Sequence, residues 1–309
     1  MTNPGRTSIH GTGCASAPAA TKSKRNRRIR ILYFIGLRHR VAMRPTLLGI
    51  PYDAASSSLR GAANGPAAVR AALHSPSTNG WSEDVRNVVD QLHDAGDVDL
   101  TLGDVRAAID QAAHHLFAGG ARVIALGGDH SVTYPLVRAV SRTLGSAHFT
   151  VLHLDAHPDL YPDYEGDRYS HACPFARIME DKLTHRLVQV GIRCMNEVQR
   201  QQAEVHGVDV IDMRAWASGV RPAMRGPIYL SLDLDVFDPG FAPGVSHREP
   251  GGLAPRDVIR LIQELEGPLI GADVVELNPV RDPLEITAPL AAKLVKEIAA
   301  KMLEDTPTS

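Results

Sequence analysis

One strand that reads as buried yet ends in charged residues constrains this chain more than any other feature. Phe149, Val151, Leu152 and Leu154 form an apolar run, and His153-Leu154-Asp155-Ala156-His157-Pro158-Asp159 closes it. In an extended chain alternate residues share a face, so Asp155, His157 and Asp159 point the same way for as long as the chain stays extended. Two carboxylates and an imidazole on one face, with no Lys between them, repel one another unless a cation sits there. Taken alone, the triplet also fits solvated loop carboxylates in a capping role.

Two further stretches argue against that simpler reading. Ile228, Leu230, Leu232 and Leu234 form one face of a second apolar strand, with Asp233 and Asp235 on the other face at its carboxyl end. Ligand sites of open parallel sheets lie at that end. A third apolar strand, Ile124-Ala125-Leu126, runs into Gly127-Gly128-Asp129-His130-Ser131, where the Gly pair lets the backbone turn and leaves His130 at the rim. The candidate ligands are His130, Asp155, His157, Asp159, Asp233 and Asp235. Carboxylates and imidazoles suit hard or borderline divalent cations, Mn²⁺ in particular, with Co²⁺ or Ni²⁺ as alternatives. Four carboxylates exceed what one divalent ion balances and match two ions sharing oxygens.

The motifs around His130 and Asp155, with Ser231-Leu232-Asp233-Leu234-Asp235-Val236-Phe237-Asp238-Pro239, resemble in that order the signatures of the ureohydrolases. These are the arginase and agmatinase family of binuclear manganese hydrolases. The resemblance runs from about Thr46 to the C-terminal helix. Tyr169-Ser170-His171-Ala172, Ala242-Pro243-Gly244-Val245-Ser246-His247, Glu249-Pro250-Gly251-Gly252-Leu253 and the segment from Ala272 to Pro279 look most like plant-type arginases. It implies two Mn²⁺ per chain, a small guanidino substrate, a homo-oligomer (trimer or hexamer), and the arginase/deacetylase α/β fold.

The residues alone point to the same class of fold. Short apolar strands alternate with amphipathic helices across the 309 residues, which predicts an α/β, mainly parallel sheet with helices on both faces. Strands are expected at Leu47–Ile50, Val85–Val89, Arg122–Leu126, the run before Asp155, Leu187–Ile192, Val208–Ile211, Ile228–Asp233 and Leu269–Val275. No linker interrupts residues 44–309, which read as one catalytic domain. Residues 1–43 differ in kind: they are rich in Ser, Thr and Arg, and no acidic residue precedes Asp53. They read as a disordered leader or upstream start, giving a cytoplasmic protein, or alternatively as a mitochondrial transit peptide. A net charge of −2 gives no reason to expect nucleic acid, and no apolar run is long enough for a membrane span. The cysteines, Cys14, Cys173 and Cys194, form neither a CxxC pair nor a disulfide framework. Cys173, near His171, invites comparison with a thiol nucleophile, but the metal-ligand set already accounts for the site.

Two ions sharing a water lower its pKa towards neutrality, which answers the weak electrophilicity of a guanidinium carbon. Asp159 is placed to take the proton of that water. His171 is read as a shuttle to solvent, its pKa class suiting transfer near neutrality. The resemblance puts the guanidinium-binding carboxylate at Glu276, just after the last strand, where it can pair with a guanidinium fork. For the substrate, the loop Leu160–Ser170 carries Asp163, Glu165 and Asp167 against only Arg168. Plant-type arginases tend to carry an uncharged Asn where Asp167 stands. A carboxylate there would repel the α-carboxylate of arginine and attract the terminal ammonium of agmatine, by on the order of 1–3 kcal/mol. The sequence reading is therefore agmatinase, giving putrescine and urea and placing the enzyme in polyamine biosynthesis. The alternatives are arginase, in arginine metabolism, and another guanidino-acid hydrolase. A non-catalytic relative is disfavoured because all six ligands are present, and a one-zinc deacetylase because Asp233 and Asp235 are both intact.

Overall fold

The computed structural model describes residues 44–304, apart from 102. The leader-like segment 1–43 lies outside the described residues. Eight strands form one sheet: β1 (Pro45–Gly49), β2 (His93–Asp97), β3 (Arg122–Leu126), β4 (Thr150–Leu154), β5 (Arg186–Ile192), β6 (Asp209–Asp212), β7 (Ile228–Asp233) and β8 (Leu269–Val275). Their order is β2-β1-β3-β8-β7-β4-β5-β6, and every pairing is parallel. The helices are α1 (Gly65–Leu73), α2 (Val105–Ala118), α3 (Thr133–Leu144), α4 (Pro174–Glu180), α5 (Glu197–His206), α6 (Met213–Ala217), α7 (Pro255–Gln263) and α8 (Thr287–Glu304).

Side chains that alternate along a strand explain why both faces are covered. Ile124, Leu126, Leu152, Leu230 and Leu232 pack in one core with Leu294, Val295 and Ile298 of α8 and Val258 and Ile262 of α7. Val123, Ala125, Val151 and Tyr229 pack in the other with Ile109 and Phe117 of α2 and Leu136 and Val140 of α3. A parallel sheet buried on both faces needs such continuous apolar runs. Between β3 and β4 the chain crosses two places that β8 and β7 later fill. The carboxyl ends of β3, β8, β7 and β4 are thus neighbours, at the kind of switch point where open α/β sheets bind ligands.

One expected strand is not there. Val85 has a left-handed backbone (φ 64) and is exposed, and Val89–Gln91 is a single 3-10 turn. The strand beside β1 is instead His93–Asp97, whose five residues are all exposed. It is held at the sheet edge by pairing with β1 and by Arg70, which donates to Asp94 and Asp97 at 2.8 and 2.5 Å. An edge strand stabilised this way leaves no apolar signature in the sequence. Among the described residues, no helix is long and apolar enough to cross a membrane.

Candidate active site

The turn after β3 needs glycine. A Cβ on Gly128 would lie 1.8 Å from the Tyr52 carbonyl oxygen, and that oxygen accepts from Asp129 N at 2.8 Å. Asp129 then caps the next turn, accepting from Ser131 N (3.1 Å) and, across the site, from Ala55 N (2.9 Å). The fully buried His130 that follows is fixed in one tautomer. Ser231 Oγ donates its only proton to Asp273 (2.7 Å), so the His130 Nε2 at 3.0 Å from Ser231 Oγ carries the ring hydrogen. His130 Nδ1 is therefore a lone pair. It is buried without a hydrogen-bond partner and stands 3.1 Å from Asp155 Oδ2, Asp159 Oδ2 and Asp233 Oδ2 alike.

A second group adjoins the first. His157 Nδ1 lies 2.9 Å from Asp235 Oδ2 and 3.4 Å from Asp155 Oδ1. Asp155 thus shows one oxygen to each group. Its orientation is held by His153, which lies 2.7 Å from Asp155 Oδ2 through Nε2. Gln189 supplies the opposite hydrogen bond: its amide nitrogen, anchored on the Pro158 carbonyl, faces His153 Nδ1 at 3.0 Å. Asp235 Oδ1 accepts from Ala156 N, and Asp233 Oδ1 from Asp235 N, at 3.0 and 2.8 Å.

The charges do not balance from within the protein. Among the described residues no Lys or Arg pairs with these four carboxylates. Burial, then Asp235 and Asp155, pushes Asp233 well above the ordinary carboxylate range, and burial with Asp155 pushes Asp235 up to about 7. Four buried carboxylates cannot all ionise without a counter-charge. A His lone pair facing three carboxylate oxygens makes sense only around a cation. The donor set fits divalent metal, and the three strands bring all six expected residues together.

His157, Asp159, Asp233 and Asp235 floor a cleft of about 230 Å³ that Glu276, His171, Ser57, His247, Cys194 and Glu249 also line. Glu276 follows β8 and, like Asp159, has a left-handed backbone (φ 65 and 51). Such strain in a non-Gly residue persists only where the surroundings enforce it; here Glu276 N donates to Gly128 O and Phe175 N to Asp159 O. Glu276 Oε1 accepts from His130 N (2.9 Å) and faces His171 Nδ1 (3.0 Å), while its Oε2 is buried with no partner. Burial opposes ionisation, but the His171 hydrogen bond and charge hold Glu276 below the usual carboxylate range. Burial likewise works against protonation of His171, yet Glu276 pushes it up to about 9. On the far side, Ser57 N and Oγ lie 3.2 and 2.9 Å from His171 Nε2. The Ser57 hydroxyl can donate or accept, so the ring keeps a partner with or without its second proton.

Asp167 stands outside the residues that line the cleft. Its carboxylate accepts from Tyr169 N (2.8 Å), and its backbone pairs with Tyr164. Asp163 accepts from Gly166 N in the same manner, so the acidic loop caps its own amides. Cys173 is fully buried, and burial pushes its thiol up to about 12, which removes it as a nucleophile. Sequence reasoning missed Ser57 and Arg193. The guanidinium of Arg193 donates to the carbonyls of Gly191, Asp235, Val236, Phe237 and Glu249, tying the loops after β5 and β7 to the cleft wall. Neither Ser57 nor Arg193 sits in a charged cluster that a linear reading would pick out. Glu249 and His247 both fall within motifs of the family resemblance, and the sequence alone assigns neither a role.

Comparison with known proteins agrees with this geometry. The model of the Arginase family matches residues 44–300. A mitochondrial arginase of Medicago truncatula is 45% identical over 282 residues, covering 85% of this chain and 83% of that protein. The solved structure of an arginase from Medicago truncatula superposes with a TM-score of 0.78 at 43% identity, covering 84% of this chain and 88% of the other. The N(1)-aminopropylagmatine ureohydrolase of Thermus thermophilus is 38% identical over 250 residues, 76% of this chain and 83% of that protein. The chain belongs to the arginase family of ureohydrolases, hydrolases that act on guanidino groups.

Proposed function

We propose that this protein hydrolyses L-arginine to L-ornithine and urea. The observation that carries the guanidino reading is Glu276: an ionised carboxylate lining the cleft, with one oxygen fully used and the other buried without a partner. A buried acceptor left unmatched costs about 1–3 kcal/mol, which a guanidinium N–H recovers. The choice of arginine over agmatine rests on the arginases among its relatives; Asp167, whose carboxylate accepts from Tyr169 N, is not among the residues lining the cleft and so offers agmatine's ammonium no direct partner there.

His130, Asp155, Asp159 and Asp233 would hold one divalent ion, and His157, Asp155, Asp233 and Asp235 a second; Mn²⁺ suits this set of oxygen and imidazole donors. Such ions, when bound, activate water at neutral pH and balance the negative charge of the site. Glu276 holds the guanidinium with its carbon over the carboxylate floor. Asp159 takes the proton of the attacking water and returns it to the nitrogen that leaves with ornithine. His171, between Glu276 and Ser57, passes protons between that nitrogen and solvent. The mitochondrial label carried by relatives supports the transit-peptide alternative for residues 1–43. A trimer or hexamer is the assembly we expect, with light scattering of the purified protein as its measure.

The test is kcat/KM for arginine and agmatine in parallel on manganese-loaded protein. Arginine is expected to be preferred by roughly tenfold or more. A preference for agmatine would overturn the assignment and restore the agmatinase reading.

A further inference from the structure

The cleft wall carries a second group of metal-binding side chains, of which two, Cys194 and Glu249, have no part in the hydrolytic reaction. His157, Cys194 and Glu249 each present a ligand atom, and the three atoms lie within 4.8 Å of one another. Cys194 Sγ is 3.8 Å from Glu249 Oε1. The positions are imposed by the fold. Cys194 follows β5 with its backbone N donating to Ala156 O at 3.0 Å, directly beside His157. Glu249 is brought opposite by the two hydrogen bonds from Arg193 to its carbonyl, at 3.0 and 2.6 Å. Cys194 is exposed and so open to an incoming ion, unlike the buried Cys173.

This set differs in chemistry from the carboxylate centre. Thiolate, imidazole and carboxylate together favour zinc-like ions over Mn²⁺, because the sulfur is a soft donor. We propose that Cys194 and Glu249, sharing His157 with the carboxylate centre, form a site for a soft divalent cation such as Zn²⁺ or Cd²⁺, and that filling it blocks the cleft. The thiol proton leaves to solvent as the ion binds. Two consequences follow from the geometry. The ion occupies a cleft of about 230 Å³ in which Glu276 and His171 also stand, leaving little room for a guanidino substrate. It also draws on His157, which the Asp155 and Asp235 group needs.

The probe is Cd²⁺, titrated into full-length manganese-loaded protein carrying Cys14→Ser, and followed by the ultraviolet thiolate-to-cadmium charge-transfer band. The expected result is a band that saturates at about one equivalent, is absent when Cys194→Ser is added, and moves to roughly tenfold higher Cd²⁺ with Glu249→Gln. Excess Zn²⁺ should remove the band by competition, and urea release should fall with the same midpoint. Cadmium that merely replaces manganese among the carboxylates gives no thiolate band. No band, a band that survives Cys194→Ser, or an unchanged midpoint with Glu249→Gln would each overturn the site; a saturated band with urea release intact would overturn its blocking role.

Discussion

Replacing Glu276 by Gln keeps the shape of the side chain and removes its charge. Oε1 already serves two partners, His130 N at 2.9 Å and His171 Nδ1 at 3.0 Å, and Oε2 serves none. In Glu276→Gln the amide oxygen stays with those two donors. The amide NH₂ then takes the place of Oε2 and meets the guanidinium donor to donor. One hydrogen bond between ionised partners is lost, worth about 1.5–3 kcal/mol. At 1.36 kcal/mol per decade, kcat/KM for arginine should fall roughly 10- to 150-fold. The assay is steady-state urea release, with bound metal measured on the same samples, because Glu276 is no ligand and the metal content should not change. His171 should also lose the carboxylate that raises its pKa, moving the basic limb of the pH–rate profile to lower pH. A variant within about twofold of the parent, with full metal content, would refute Glu276 as the guanidinium partner.

Other variants separate the remaining roles. His171→Ala should lower turnover while leaving bound metal unchanged; loss of metal would place His171 among the ligands. Asp155→Asn should remove activity and most of the bound metal together, since Asp155 presents one oxygen to His130 and the other to His157. A pH test of stability concerns Glu83, far from the centre. The Arg256 hydrogen bond holds Glu83 down to about 2 from an ordinary value of 4.5. A depressed carboxylate stabilises the fold above its unfolded value and loses that contribution as pH falls through its folded one. The Tm deficit of Glu83→Gln should therefore be full at pH 7 and shrink as pH drops from 4.5 towards 2. A deficit that does not depend on pH would show that packing, not the Arg256 pair, is at work.

What the sequence made readable followed from burial. A strand covered on both faces must be apolar along its length, so β3, β4, β7 and β8 stand out, and charged residues at their ends stand out against them. That contrast singled out the six candidate ligands, the family resemblance singled out Glu276, and the alternation of strand and helix gave the layered fold. What it hid was polar by necessity or distant in the chain. β2 is an exposed edge strand with no apolar signal, and its place went to the more hydrophobic Val85–Val89. Ser57 meets His171 only because Ala55 O and Asp129 bring the loop after β1 across the site. The acidic loop misled for a related reason. Sequence counts charges but not directions, and Asp163 and Asp167 each accept from a neighbouring backbone amide and do not line the cleft.

The central claim is that residues from β3, β4 and β7 close one carboxylate-rich centre on a pair of divalent ions. Anomalous diffraction from crystals of the full-length protein grown with Mn²⁺ tests it most directly. The account predicts two peaks that share Asp155, one beside His130 and one beside His157. A single peak, or peaks away from these residues, would contradict it.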